Sequence, residues 1–176
     1  MDSPSPLEPL SSVCPVPPEQ QPLQEYEDLQ AAWLFNWAVQ PLGVYCRKLA
    51  WIALWSGLLL APLAAASFPW DKAPVQFGLT TLAAAIGMVL LLVLRLYSGW
   101  GYIRDRLDRT TVTYEESGWY DGQTWTKPPE VLARDRLVMT YQVQPALTRL
   151  QRTLVWGTVL LGGAVLVDGL IGRWIA

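Results

Sequence analysis

The chain contains no histidine and only two cysteines among its 176 residues. Without histidine, a lone cysteine is a weak sign of a bound metal or haem. Cys14 and Cys46 are far apart in the sequence and fall on the same predicted side of the membrane, which argues against a disulfide framework. The chain also has no recognisable catalytic motif. The sequence therefore indicates architecture and location more firmly than a reaction.

The sequence also shows neither an excess of positive charge nor the pattern of an N-terminal targeting segment. The formal net charge is -2, and no basic stripe is left unneutralised, so nucleic acid is not an expected partner. The first 48 residues lack the apolar region of a signal peptide, and their arginine-poor start is unlike a transit peptide. If the protein works in an organelle, we expect it to be made there.

Long apolar stretches are abundant. The ranges 49–70 and 73–94 contain no ionisable side chain. As helices, each would measure about 33 Å, enough for a hydrocarbon core of about 30 Å. The third stretch, 153–176, is free of charge only over the 15 residues 153–167, but its Trp156 and Trp174 would lie about 27 Å apart, where aromatic belts meet the headgroup layers. The sequence predicts a mainly α membrane protein with a transmembrane hairpin over 49–94 and a third transmembrane helix over 153–176.

The positive charges are unevenly distributed around these spans. Three crossings place only Lys72 and Arg173 on one face. The other Lys and Arg residues share the opposite face: Arg47, Lys48, Arg95, Arg104, Arg106, Arg109, Lys127, Arg134, Arg136, Arg149 and Arg152. Because cytoplasmic loops carry the excess of Lys and Arg, we expect the N-terminus and the 95–152 loop to be cytoplasmic or stromal.

The N-terminal region divides into two segments. Residues 1–22 form a proline-rich arm, in which 1–13 predict disorder and 14–22 a stiff extended segment. Cys14 in this segment is either an axial thiolate for haem or a small residue that docks the arm. Residues 23–48 predict an amphipathic helix that lies in the membrane interface and is broken at Pro41 and Gly43. Its apolar positions recur at helical spacing: Tyr26, Leu29, Trp33 and Trp37.

The polar loop 95–152 contains the sequence Arg-Asp-Arg-Leu twice, at 104–107 and at 134–137. We expect the second span to continue as a helix through the first copy, and a new helix to begin at Pro128–Glu130 and be interrupted at Pro145. The copies are either solvated charged faces or partners in arginine–carboxylate contacts that clamp the loop. The side chains concerned are Arg104, Asp105, Arg106, Arg134, Asp135 and Arg136.

Between the two copies, the pattern over 111–127 predicts a β-hairpin with a two-residue turn at Asp121–Gly122. That register places Tyr120 opposite Gln123, Gly118 opposite Trp125, and Glu116 opposite Lys127 as an ion pair. It puts four side chains on one face: Val112, Tyr114, Tyr120 and Trp125. Because an isolated hairpin is marginal in water, we expect it to rest on the interfacial helix, the bilayer or a partner.

The third span carries small residues and one carboxylate. Thr158, Gly162 and Gly163 would allow another helix to approach closely. Asp168 is within reach of the far interface near Trp174, and the alternative is a buried functional carboxylate.

Four short strings of residues resemble those of a known family. They are Cys-Pro-Val-Pro at 14–17 with Glu-Gln at 19–20, Tyr-Glu-Glu-Ser-Gly-Trp-Tyr-Asp-Gly-Gln at 114–123, Lys-Pro-Pro at 127–129 and Arg-Asp-Arg-Leu at 134–137. With them, the chain resembles the ycf-thirty-six family of plastid and cyanobacterial reading frames, called in plants and algae "conserved in the green lineage and diatoms", number twenty-seven. The resemblance implies a thylakoid or related membrane and a supporting role in photosynthesis. It supplies no catalytic residues.

The leading hypothesis is a non-enzymatic auxiliary or assembly factor that docks a photosynthetic membrane complex through its cytoplasmic or stromal face. Aromatic residues are enriched at binding centres, and the predicted contacts are Trp33, Trp37, Tyr114, Trp119, Tyr120 and Trp125. The alternative is a membrane protein that handles haem or another tetrapyrrole, such as chlorophyll, through Cys14. A third class is a membrane enzyme with a divalent ion on Glu115, Glu116 and Asp121, although the predicted register points the two glutamates to opposite faces.

Overall fold

The computed structural model describes residues 14–115 and 122–175. In this part of the chain the helices are α1 Pro22–Ala31, α2 Leu42–Ser67, α3 Pro74–Asp108, α4 Pro129–Val138 and α5 Gln144–Ile175. The strands β1 Thr111–Tyr114 and β2 Gln123–Thr126 form a two-stranded antiparallel sheet. The predicted mainly helical fold with one hairpin between the second and third long helices is therefore confirmed.

Three helical runs are long and apolar enough to cross a membrane: Leu42–Ser67, Pro74–Asp108 and Pro129–Trp174. Their outward faces carry many exposed large apolar side chains, among them Leu59, Leu63 and Leu166. A contiguous surface of this kind is unusual on a protein that is surrounded by water. The three apolar helices predicted from the sequence are confirmed by length and composition.

The helix α3 is the axis on which the other elements are assembled. It begins with Pro74 in its first turn and continues for 35 residues, about 52 Å, to Asp108. The predicted continuation past Arg95 is therefore confirmed. Because α3 is much longer than a bilayer core requires, its last turns form a post on which the polar parts of the chain pack.

Both α2 and α5 pack against α3. At Gly57, an added Cβ would lie in ordinary contact, 3.7 Å from the Cβ of Ala85. At Gly157, an added Cβ would lie only 2.6 Å from Cδ2 of Leu90, so α5 approaches α3 closely at this glycine. Gly162 and Gly163, which the sequence suggested for this role, face open space within 4 Å. Among the described residues no other helix approaches these two glycines closely, so their role in helix packing stays a prediction.

The predicted interfacial helix over 23–48 is divided in two. The helix α1 ends at Ala31 because Ala32 is extended, with a ψ of 127°, and Asn36 Nδ2 then donates a hydrogen bond of 2.8 Å to the carbonyl of Gln30. A 3-10 turn follows, and α2 begins directly after Pro41. The break at Pro41 is as predicted, but residues 42–48 belong to the first long helix.

The buried core lies around the end of α3 that carries Arg95 and the residues after it, together with the adjoining part of α5. Trp100 is fully buried, and the ring of Tyr26 meets it edge to face at a centroid distance of 6.0 Å. The hydroxyl of Tyr26 is also hydrogen-bonded to Gln142. Further members from α3, α5 and the turn that precedes α5 are Val93, Leu96, Ile103, Leu107, Val143, Leu147 and Leu150. This core fixes α1 to the post.

The helix is not interrupted at Pro145 as predicted, and a widened turn precedes the proline instead. Residues Met139–Val143 are π-helical, and the N–H of Gln144 bonds to the carbonyl of Met139. Proline has no N–H to continue an α-helical ladder, and a π turn is a known way to absorb such a change within a helix. The helical run from Pro129 to Trp174 is thus unbroken.

The hairpin register differs from the predicted one. Tyr114 pairs with Gln123 and Val112 pairs with Trp125, so residues 115–122 connect the strands in place of a two-residue turn. The N–H of Lys127 bonds to the carbonyl of Thr110 at 2.9 Å, so Lys127 lies beside Thr110 and not opposite Glu116. Both registers place Val112 and Tyr114 on the same face of the sheet, and the longer connection in the observed register costs little extra entropy.

Candidate functional site

The inner face of the hairpin is covered by the N-terminal arm. Val16, Val112 and Tyr114 form a buried cluster, with Cys14 and Trp125 packed partly against it. The support that the hairpin needs therefore comes from the chain itself. The three supports that the sequence suggested, namely the interfacial helix, the bilayer and a partner, are not what covers this face.

Gln20 fastens the arm to the hairpin as a neighbouring strand would. Its Nε2 donates to the carbonyl of Glu115, and its Oε1 accepts from the N–H of Glu115, both at 3.0 Å. Arg106 Nη2, on the post, donates to the carbonyl of Gln20 at 2.8 Å. One glutamine thus joins the arm, the hairpin and α3. The sequence analysis missed it because its partner is a distant backbone, which leaves no periodic signal.

A second link joins α1 to α3 through an ion pair. Arg106 Nε lies 2.9 Å from Oε2 of Glu25, and both side chains are largely enclosed. Burial raises the pKa of Glu25, Arg106 lowers it, and nearby Asp28 raises it, with a net upward direction. The ion pair therefore does not fully compensate the desolvation of this carboxylate.

Lys127 and Asp135 form the most deeply buried ion pair in the described residues. Nζ of Lys127 lies 2.8 Å from Oδ2 of Asp135, and it also donates at 3.1 Å to the carbonyls of Arg106 and Leu107. The ammonium group has three N–H donors, and each has an acceptor. The predicted partner of Lys127 was Glu116, and that prediction was wrong. Asp135 could have been found from its position between Val131 and Val138, on the inner face of α4.

The two Arg-Asp-Arg-Leu copies do not exchange the predicted bidentate contacts. Arg104 bonds Asp105 of its own copy at 2.7 Å, with both side chains partly exposed. One contact joins the two regions directly, Arg136 Nε to Oδ1 of Asp108 at 3.5 Å. Within the second copy, Arg134 Nη2 lies 3.6 Å from Oδ1 of Asp135. The two copies are held together chiefly through Lys127, which contacts Asp135 and the carbonyls of Arg106 and Leu107. The copies are therefore neither simply solvated charged faces nor direct arginine–carboxylate partners.

The predicted partner-binding aromatic residues occupy very different environments. Trp33 is 83% exposed, whereas Trp37 is 3% exposed and packs on Tyr45 at a centroid distance of 5.5 Å. Tyr114 is buried, and Trp125 is half-buried beside it. Trp37 and Tyr114 are thus core residues, which corrects their prediction as partner contacts. Trp119 and Tyr120 lie outside the described residues, as does Glu116.

The outer face of the two strands carries one residue type, which no other described part of the chain covers. Thr111 pairs with Thr126, and Thr113 pairs with Thr124. All four threonines are exposed. We call these four residues the threonine face. Because side chains alternate along a strand, this face is the opposite side of the sheet from Val112, Tyr114 and Trp125.

Cys14 lines a groove of about 530 Å³ between the arm, β2 and the start of α4. Leu23, Trp125, Val131 and Arg134 also line it. Both cysteines are free thiols. Among residues 14–115 and 122–175, no group of three or more His, Cys, Asp or Glu is placed to hold a metal ion. Of the acidic set considered for a divalent ion, Glu116 and Asp121 lie outside these ranges.

Asp168 is half-buried in the apolar part of α5. Its Oδ1 is enclosed, with no hydrogen-bond partner among the described residues. Both hypotheses for this residue, an interfacial carboxylate and a functional one, remain predictions.

Comparison with known proteins gives a consistent result. A family model described as "Conserved in the green lineage and diatoms 27" matches residues 14–156. An uncharacterized protein ycf36 of Pyropia yezoensis is 40% identical over 154 residues, covering 88% of this chain and 93% of the relative. A chloroplastic protein of the same description from Arabidopsis thaliana is 42% identical over 163 residues, which are 92% of this chain and 48% of the plant protein. A ycf36 protein of Cyanophora paradoxa is 42% identical over 159 residues, 90% of this chain and all of the relative. No solved structure matches the chain.

Proposed function

Because the chain belongs to the CGLD27-like family, "Conserved in the green lineage and diatoms 27", we propose that it is a non-enzymatic auxiliary or assembly factor of the photosynthetic membrane. The observation that carries this proposal is the folded unit built on the end of α3. Its arm, hairpin and α4 are fixed by Gln20 and by the Lys127–Asp135 ion pair. The name of the Arabidopsis thaliana relative, which calls it chloroplastic, supports the location.

The proposed topology has three crossings of a thylakoid or related membrane. The arm and the 95–152 loop lie on the cytoplasmic or stromal side, and Lys72 and Arg173 lie on the other side. The unequal distribution of Lys and Arg supports this orientation. Arg95, which marks the predicted membrane boundary on α3, has its guanidinium 5.1 Å from the ring centroid of Phe35. The neighbouring Trp33 would then contact the headgroup layer or a membrane-bound partner.

The proposed docking surface for a partner complex is the threonine face. The opposite face of the sheet is buried, with Tyr114 packed in a cluster with Val16, so the threonine face is the side available to a partner. A flat row of β-branched hydroxyl side chains offers both methyl contacts and hydrogen bonds. A rigid support lowers the entropy that is lost on binding, which favours association without a large apolar patch.

Copurification from membranes solubilised in a mild detergent tests the proposal. We expect a tagged protein to bring down a photosynthetic complex, and Thr113→Arg with Thr124→Arg to remove that complex. The matched control is Ala133→Arg, which adds a positive charge at an exposed position of α4. Recovery of the protein alone in several mild detergents would contradict the proposal. Equal losses from both variants would contradict the choice of surface.

A second candidate function is tetrapyrrole handling, and the groove at Cys14 favours it. A thiol, an aromatic ring from Trp125 and the cation of Arg134 line the same groove. Cys14 would hold a haem through its thiolate, and the guanidinium of Arg134 would pair with a carboxylate of the ring. Soret absorbance that disappears in Cys14→Ala and persists in Cys46→Ala would support this function. Purified protein without such absorbance would exclude it.

A further inference from the structure

A second cavity, distinct from the Cys14 groove, lies between the long helices. The helices α2 and α5 both pack on α3, and on one side of α3 they leave a cleft of about 950 Å³. A hydrogen bond of 2.8 Å from the hydroxyl of Tyr45 to Oγ1 of Thr153 joins its two walls. None of the residues proposed above for partner or tetrapyrrole binding lines this cleft.

One end of the cleft is apolar. Its walls there are Leu49 and Ala53 from α2, Leu90 from α3, and Trp156 and Leu160 from α5. These positions lie within the stretches that are long and apolar enough to cross a membrane. An acyl chain is the natural occupant of such a surface, because water would gain no hydrogen bonds there.

The other end of the cleft is cationic. Arg149 and Arg152 line it, together with the hydroxyl-bearing Thr148 and Thr153. Arg149 donates from Nη1 to the carbonyls of Ala38 and Gln40, at 3.2 and 2.5 Å. Arg152 is exposed. In the described ranges 14–115 and 122–175, neither guanidinium has a carboxylate within ion-pair distance.

The change from charge to apolar surface occurs within the cleft itself. Arg152 is the last basic residue before the apolar run that begins at Thr153, and Lys48 precedes the run that begins at Leu49. A molecule that fills the cleft must therefore have an anionic end at the membrane boundary and an apolar end inside. An uncharged lipid would leave two guanidinium groups without a counter-ion.

We propose that this cleft binds one anionic membrane lipid. The headgroup anion accepts hydrogen bonds from Arg152 and from the free edge of Arg149, and one acyl chain lies along Ala53 and Leu90. Arginine forks match the oxygens of phosphate and similar anions, and basic pockets between membrane helices are typical sites for acidic headgroups. The proposal depends on the three membrane crossings but not on any protein partner.

Native mass spectrometry of the full chain in detergent provides the test. Phosphatidylglycerol and phosphatidylcholine with identical acyl chains are added separately, and the fraction of protein carrying one lipid is measured. We expect phosphatidylglycerol to be retained preferentially. Arg152→Gln should weaken that retention about tenfold, the value of one charge-assisted hydrogen bond. Arg109→Gln, a matched exposed arginine outside the cleft, should leave it unchanged.

A second pair of variants tests the apolar half separately. Ala53→Phe fills the cleft from α2 and should reduce retention, while Ala66→Phe, at an exposed position of the same helix, should not. Equal retention of the two lipids would overturn the proposal, and so would equal behaviour of Arg152→Gln and Arg109→Gln. Copurified photosynthetic partners should be unaffected by Ala53→Phe, so failure here is distinguishable from failure of the docking hypothesis.

Discussion

Nζ of Lys127 lies 2.8 Å from Oδ2 of Asp135, and the two side chains are only 0% and 1% exposed. The same ammonium donates hydrogen bonds to the carbonyls of Arg106 and Leu107, in the last turn of α3. One side chain therefore ties together the end of α3, the exit from the hairpin and the inner face of α4. Cations are also favoured at helix C-termini by the helix dipole.

Removing the lysine should be much more damaging than removing both partners. Lys127→Met leaves the buried Asp135 carboxylate with only the longer, partly exposed contact to Arg134 at 3.6 Å, and breaking a buried pair in this way costs about 3 to 5 kcal/mol. Lys127→Met with Asp135→Leu should recover most of that loss. Hydrogen exchange of the α4 amides measures the effect locally, and Lys72→Met is the control at an exposed lysine. Equal protection in Lys127→Met and Lys72→Met would show that the pair does not hold α4.

The pH dependence of Glu25 follows from its raised pKa. A carboxyl with a higher pKa in the folded protein contributes stability that is present below its unfolded pKa, about 4.5, and is lost as pH rises through the folded value. The Glu25→Gln variant carries a neutral amide at this position, which resembles the protonated carboxyl at every pH. The stability of Glu25→Gln relative to the original chain should therefore increase from pH 4 to pH 7. A decrease over that interval would mean that the Arg106 ion pair outweighs burial.

Two glycines on α3 form a matched pair. An added Cβ at Gly99 would lie 2.5 Å from Cε1 of Phe35, whereas Gly101 faces open space within 4 Å. We expect Gly99→Ala to destabilise the fold by about 1 to 3 kcal/mol through overpacking. Gly101→Ala should stabilise α3 by up to about 1 kcal/mol, because alanine is the better helix former. Unfolding in mixed micelles measures both values, and similar values for the two would disprove this packing of Phe35.

The observed hairpin register can be tested by cross-linking. With Cys14 and Cys46 first replaced by serine, Thr113→Cys and Thr124→Cys should oxidise readily to a disulfide, because directly opposite Cβ atoms are about 4.5 to 5.5 Å apart. The diagonal pair Thr113→Cys and Thr126→Cys should react poorly. Mass spectrometry of proteolytic fragments distinguishes the two products. Preferential oxidation of the diagonal pair would contradict the register.

The parts of the fold that the sequence predicts are those governed by local pattern. The long apolar helices, the extension of α3 beyond Arg95 and the start of α4 after Pro128 follow from composition, helix length and proline chemistry. The shared face of Val112, Tyr114 and Trp125 also follows, since a register shift of an even number of residues preserves the side of the sheet.

Long-range choices were not predictable in the same way. The Asp-Gly pair suggested a tight turn, but Tyr114 pairs with Gln123. Because both registers place Val112 and Tyr114 on the same face, side-chain alternation could not distinguish between them. The spacing of Trp33 and Trp37 suggested that both lie on one helix. In the structure α1 ends at Ala31, and Trp37 packs on Tyr45 of α2. Lys127 was identified from the sequence as a structural residue, but its predicted partner, Glu116, was wrong. Its partner in the structure is Asp135, which only the fold brings close to it.

The central claim is that three apolar helices carry the arm and hairpin on one side of a membrane. Single cysteines at Thr124 and at Asp71, introduced after replacing Cys14 and Cys46, can be labelled with an impermeant maleimide in sealed vesicles of known orientation. The account predicts that the two positions react from opposite compartments, with Thr124→Cys on the cytoplasmic or stromal side. Labelling of both positions from the same compartment would contradict it.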